Sequence, residues 1–92
     1  MSDSAPAVRR ALDYRVHLFA VLREKTGTDI WTCSSETPLS GSQLLGRFFE
    51  AHPALSAMRS VTRLAVNQAF CLEDPQLDPN DEIALIPPVS GG

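Results

Sequence analysis

The sequence is poor in the features that announce most chemistries. It has two cysteines, Cys33 and Cys71, too few for a structural zinc site, and His17 and His52 stand at no ligand spacing, so no metal is expected. The two thiols are expected as small buried or half-buried residues rather than as a disulfide. No apolar run approaches the ~20 residues a membrane-spanning helix needs. The first ten residues lack an apolar core of the secretory type, so a cytoplasmic location is the default expectation. Basic residues are not in excess: Lys and Arg total 8 against 11 Asp and Glu, a net charge of −3. Phosphate backbones require a basic face, so nucleic acid is excluded as the main partner, and the acidic balance favours a partner with a basic groove. There is no glycine-rich phosphate cradle, so the chain itself is not expected to bind ATP. No acid or nucleophile stands at a catalytic spacing from His17, which reads as a surface histidine.

What is present describes one small domain. The chain has 92 residues, 43% of them apolar, and no internal repeat. Residues 1–13 are aperiodic and carry Ser, Ala and Pro, and are expected to form a flexible arm. Tyr14 to Leu22 reads as a strand, with Val16, Leu18 and Ala20 on one face and Arg15, His17, Phe19 and Val21 on the other. Leu22 to Thr26 can make one helical turn stopped by a left-handed Gly27. Thr28 to Cys33 reads as a second strand, on which Trp31 is expected to shield a sheet edge.

The clearest helix runs from Leu39 to His52. Ser40 and Gln43 have capping-box spacing, Leu39 and Leu44 have staple spacing, and Pro53 stops the helix. Leu44, Leu45, Phe48 and Phe49 give it one apolar stripe. A third strand spans Arg63 to Asn67, with Leu64 and Val66 inward. Asn67-Gln68 suits a tight turn into a short edge strand from Ala69, and Asp78-Pro79-Asn80-Asp81 suits a type I turn. Glu82 to Ile86 is the last strand, with Ile83 and Leu85 facing one way and Ala84 and Ile86 the other. The order implies an α+β fold, a mixed sheet of four to five strands crossed by one main helix over residues 14–86, with the first and last strands parallel at its centre.

After that last strand come Pro87-Pro88-Val89-Ser90-Gly91-Gly92. The two prolines fix φ and stiffen the stem. A terminal Gly-Gly has no Cβ, so it can enter a channel too narrow for other residues and offer an unhindered carboxylate. Residues 87–92 are therefore expected to be a protruding handle rather than a frayed end. They can reach roughly 20 Å when extended.

The segment Phe19-Ala20-Val21-Leu22-Arg23-Glu24-Lys25-Thr26-Gly27, the stretch Ala65-Val66-Asn67-Gln68 and the run Leu77 to Gly92 together resemble the ubiquitin-like, β-grasp sulfur carriers of the MoaD/ThiS family, in particular its molybdopterin synthase small subunits. The likeness covers roughly Tyr14 to Gly92, and its specific part is the Pro-Pro-Val-Ser-Gly-Gly ending. The resemblance implies that a ubiquitin-activating-like enzyme adenylates the Gly92 carboxylate using ATP, and that a sulfur donor protein then converts it to a thiocarboxylate. It also implies that the tail enters a catalytic large subunit, in a heterotetramer, and gives its sulfur to a cyclic pyranopterin precursor to build a dithiolene. The chain then supplies sulfur and reach, and the active site belongs to the large subunit. Two other functions stay open at this point: a thiocarboxylate carrier for thiamine, cysteine or tRNA thiolation, and a ubiquitin-like protein modifier.

The pattern also marks a docking face. If Val16, Leu18, Ile83 and Leu85 face the helix, then Phe19 and Ile86 lie outward on adjacent central strands at the root of the tail, where an exposed apolar patch marks a partner interface. Arg63 and Ala65 extend it, and Pro87, Pro88, Val89, Ser90 and Gly91 would be gripped with Gly92. The alternative is that Phe19 packs under a loop.

Overall fold

A computed structural model describes residues 11–88; the arm expected before them and the last four residues lie outside that range. Five strands form one sheet in the order β2-β1-β5-β3-β4: β1 is Leu12–Leu18, β2 Ile30–Ser35, β3 Arg63–Val66, β4 Ala69–Phe70 and β5 Ile83–Ile86. Leu12 and Asp13, expected in the arm, belong to β1. The period-2 pattern decides which face is buried: Tyr14, Val16 and Leu18 of β1 and Ile83 and Leu85 of β5 point into the core. β5 lies parallel to β1, with Val16 opposite Ile83 and Leu18 opposite Leu85, and antiparallel to β3 on its other side. The two central strands are therefore the first and the last, as the sequence implies.

The main helix, α2 (Gly41–Ala51), covers one face of the sheet. Its start is fixed by the expected capping box, in which the Gln43 amide donates to Ser40 Oγ at 3.2 Å and the Ser40 amide donates to Gln43 Oε1 at 2.9 Å. Leu44, Phe48 and Phe49 are buried, while Leu45 is half-buried against them. Trp31 of the edge strand β2 packs edge-on against Phe48, with ring centroids 5.2 Å apart, so it closes the core at that edge. Both cysteines are free, Cys33 in the core and Cys71 half-buried.

Gly41 opens the helix where no side chain fits, because a Cβ there would lie 2.5 Å from Leu64 Cδ2 and 2.9 Å from Pro75 Cδ. The approach is made by residues 74–77, which strap the helix start: the Gly41 amide donates to the Pro75 carbonyl at 2.8 Å and the Leu77 amide to that of Leu39 at 2.9 Å. Asp74 completes the strap by accepting from both the hydroxyl and the amide of Ser42, the amide at 2.8 Å. These bonds, the hydroxyl's first, hold the Asp74 carboxyl below the usual aspartate range. A group whose pKa falls on folding stabilises the fold above its unfolded pKa, and that stabilisation is lost as pH falls through the folded value. Asp74→Ala is therefore expected to lower the urea midpoint at neutral pH, by a deficit that shrinks as the pH falls below the ordinary aspartate range. A deficit that does not change with pH would contradict the ionised clamp.

Besides the early start of β1, and β2 at Ile30–Ser35 where Thr28 to Cys33 was expected, three features depart from the expected elements. The strand expected to run to Leu22 stops at Leu18, and Ala20–Thr26 form a second helix, α1, ended as expected by a left-handed Gly27 with φ 78°. Pro53–Val61, between the main helix and β3, winds into a 3₁₀ segment with Leu55 buried. The edge strand after Asn67-Gln68 has only two residues. Asn67 and Gln68 themselves have φ of 54° and 71°, the double left-handed geometry of a type I′ hairpin. The Asn67 side chain ties this hairpin to the turn before β5, accepting from the Glu82 amide at 2.9 Å and donating to Asp81 at 3.1 Å. That turn forms as expected, with the Asp81 amide donating to the Asp78 carbonyl at 2.9 Å.

Candidate functional site

The face of the sheet turned away from α2 carries the candidate site. Alternation along β5 buries Ile83 and Leu85 and leaves Ala84 and Ile86 half-buried on the opposite face. Register then places Arg63 beside Ile86, and Ala65 between Ala84 and Phe70. Phe19 follows β1 in extended conformation and is 46% exposed, so it does not pack under a loop. Phe19 and Ile86 both line two adjoining hollows and so form a ridge between them. On the sheet side is a shallow cavity of about 180 Å³ lined also by Ala65, Phe70 and Ala84. On the other is a larger groove of about 660 Å³ whose walls are Ala20, Val21, Glu24, Met58, Pro87 and Pro88.

The expected docking residues are thus brought together, with changes of emphasis. Ala65 is buried, 6% exposed, and serves as cavity floor rather than as a prominent contact. Arg63 is exposed and lays its guanidinium 4.5 Å from the centre of the Phe70 ring. Pro87 is buried and Pro88 exposed, so the first proline anchors the stem and the second marks where it leaves the domain. Val89, Ser90, Gly91 and Gly92 lie outside the described residues. His17 is half-buried on the same outer face, beside Ala84.

The sequence reading missed Phe70, although the two-residue turn at Asn67-Gln68 sets the register that puts it opposite Ala65. It also missed Met58, Val21 and Glu24, because their groove depends on the 3₁₀ segment and on α1 starting early. No helix among the described residues is long and apolar enough to cross a membrane.

The ThiS family profile matches residues 16–92. The chain belongs to the ThiS family. Among its relatives, the molybdopterin synthase sulfur carrier subunit of Dictyostelium discoideum is 37% identical over 84 residues, covering 86% of this chain and 95% of that one. The subunit of the same name from Aedes aegypti is 41% identical over 87 residues, covering 85% and 89%. Of solved structures, small archaeal modifier protein 1 of Haloferax volcanii superposes with a TM-score of 0.73 at 27% identity, covering 87% of this chain and 99% of that one. Its counterpart from Methanosarcina acetivorans gives 0.69 at 27% identity, covering 90% and 99%. The fold is the ubiquitin-like β-grasp, and in this ThiS family member the outer-face ridge stands where the central strand hands over to the tail.

Proposed function

We propose that this chain is the sulfur-carrier subunit of a molybdopterin synthase. The observation that carries the reading is kinship: curated molybdopterin synthase sulfur carrier subunits match over 80–89% of the chain at 32–41% identity. The geometry supports it, because β5 sits at the centre of the sheet and delivers Pro87-Pro88 beside an exposed apolar ridge. A tail that must enter another protein's pocket benefits from a rigid base and a docking surface at its root.

In this reading the Gly92 carboxylate attacks the α-phosphate of ATP on an adenylating partner, giving an acyl-adenylate and releasing pyrophosphate. Sulfide-level sulfur released by the donor attacks the acyl carbon and expels AMP, so the C-terminus becomes a thiocarboxylate with no change of oxidation state. Sulfur is softer and more nucleophilic than the carboxylate oxygen it replaces. The charged tail then enters the large subunit, whose acid–base groups transfer the sulfur to a cyclic pyranopterin. A dithiolene needs two sulfurs, so two charged carriers are consumed per product.

The likeness to small archaeal modifier protein 1 keeps a second reading in view, a modifier joined through Gly92 to lysines of other proteins. Affinity capture of the full chain from its own cells separates the two. The carrier reading expects a pterin-modifying large subunit recovered without covalent linkage. A ladder of lysine conjugates with no such subunit would overturn it.

A further inference from the structure

Ala20 has φ 53°, a left-handed conformation in which an L residue's Cβ crowds the backbone. The other left-handed residues among those described have ordinary reasons: Gly27 ends a helix, and Asn67 and Gln68 make a type I′ hairpin. Ala20 stands instead between the extended Phe19 and the rest of α1. The reversal lets Leu18 before it and Leu22 after it both fill the core, at 2% and 0% exposure, while Phe19 between them stays outside. Phe19 also starts the helix with its carbonyl, which accepts from the Leu22 amide at 3.1 Å. A glycine would adopt this conformation without crowding. Alanine accepts the strain and adds a methyl group, and Ala20 lines the groove beside Phe19, Val21 and Met58.

We propose that Ala20 is the positioning residue of the docking ridge: its strained left-handed junction holds Phe19 outward beside Ile86, so that the apolar knob is in place before a partner arrives. Strained backbone that the surrounding core over-determines is a recognised device of binding sites. Order set in advance strengthens binding by removing the entropy cost of fixing Phe19 on contact. This rests on the reading above only in taking the partner to be the large subunit.

The test compares the wild type with Ala20→Gly and Ala20→Asn in the full chain. In the free protein, nuclear Overhauser contacts between the Phe19 ring and the Ile86 methyl groups are expected in the wild type. They are expected to persist in Ala20→Asn, which tolerates the left-handed region, and to weaken in Ala20→Gly, whose junction is free to sample other conformers. Ala20→Gly relieves strain, so its Tm should equal or exceed that of the wild type, which a merely structural role would not combine with a loosened ring. Its affinity for the large subunit is expected to fall about fivefold to tenfold. An Ala20→Gly chain with wild-type Phe19 contacts and wild-type affinity would overturn the proposal. Failure of the wild type to bind any large subunit would refute the functional reading instead, and the contacts in the free chain would still decide the role of Ala20.

Discussion

Deleting Gly91 and Gly92, or adding a single residue after Gly92, is expected to reduce sulfur loading to background while leaving the Tm unchanged. The two effects separate because the tail and the core are different parts of the chain. Among the described residues the buried apolar cluster runs from Tyr14 to Leu85, and a glycine has no side chain to contribute to it, so the change is not expected to remove packed apolar area. The chemistry, in contrast, happens at one carbonyl carbon. An added residue moves the reactive carboxylate by about 3.5 Å, and misplacement of a reacting group by even 1 Å can cost about 100-fold. It also puts a side chain where the channel of the adenylating partner would admit only glycine. Gly92→Ala is expected to keep the length but load slowly. Loading by stoichiometric adenylating enzyme, sulfur donor and ATP, followed by mass spectrometry, measures all three variants. A fully loaded extended chain would show that the carboxylate of Gly92 is not the acceptor.

Phe19→Arg and Ile86→Arg are each expected to weaken the complex with the large subunit by about 100-fold or more, because each would bury an unpaired charge at the centre of an apolar contact. The domain should survive both. Phe19 is half exposed, and surface substitutions away from special features usually change stability by no more than about 0.5 kcal/mol. Ile86 is more shielded and stands beside Arg63 across β5 and β3, so its arginine variant should lose somewhat more stability, roughly 1 kcal/mol, and still fold. Arg63→Ala tests the rim: it frees the Phe70 ring, and because rim charges act mainly on encounter it should change the association rate at low salt more than the dissociation rate. Titration calorimetry with the large subunit, alongside thermal melts, distinguishes lost docking from lost fold. Unchanged affinity in both arginine variants would place the interface elsewhere.

The elements most legible in the sequence are those whose signal is local and redundant. The start of α2 needed no tertiary information, because Ser40, Gln43, the flanking leucines and Pro53 all point to the same boundaries, and the structure places them there. The buried face of β1 and β5 followed from alternation alone, and pairing these two strands side by side followed from the order of elements. The outward position of Phe19 and Ile86 was readable for the same reason.

The misses have a common cause as well. Phe19-Ala20-Val21-Leu22 is a continuous apolar run, so nothing in its periodicity says that the strand ends at Leu18. What ends it is a left-handed alanine, a conformation that alanine does not advertise. The 3₁₀ segment is held by tertiary burial of Leu55 and by a bond from Thr62 Oγ1 to the Met58 carbonyl at 2.7 Å, neither of which follows from composition. Losing these two elements concealed the larger groove, since Val21, Glu24 and Met58 meet only when α1 and the 3₁₀ segment are both in place. Phe70 was hidden differently, by a two-residue strand too short to show a pattern but fixed in register by its hairpin.

The most direct measurement is the intact mass of the full chain recovered from cells that make molybdenum cofactor. A population heavier by the difference of one sulfur for one oxygen, located by fragmentation to Gly92 and absent when the adenylating partner is missing, is the expected result. A C-terminus found only as the plain carboxylate or as lysine conjugates, in cells actively making the cofactor, would contradict the account.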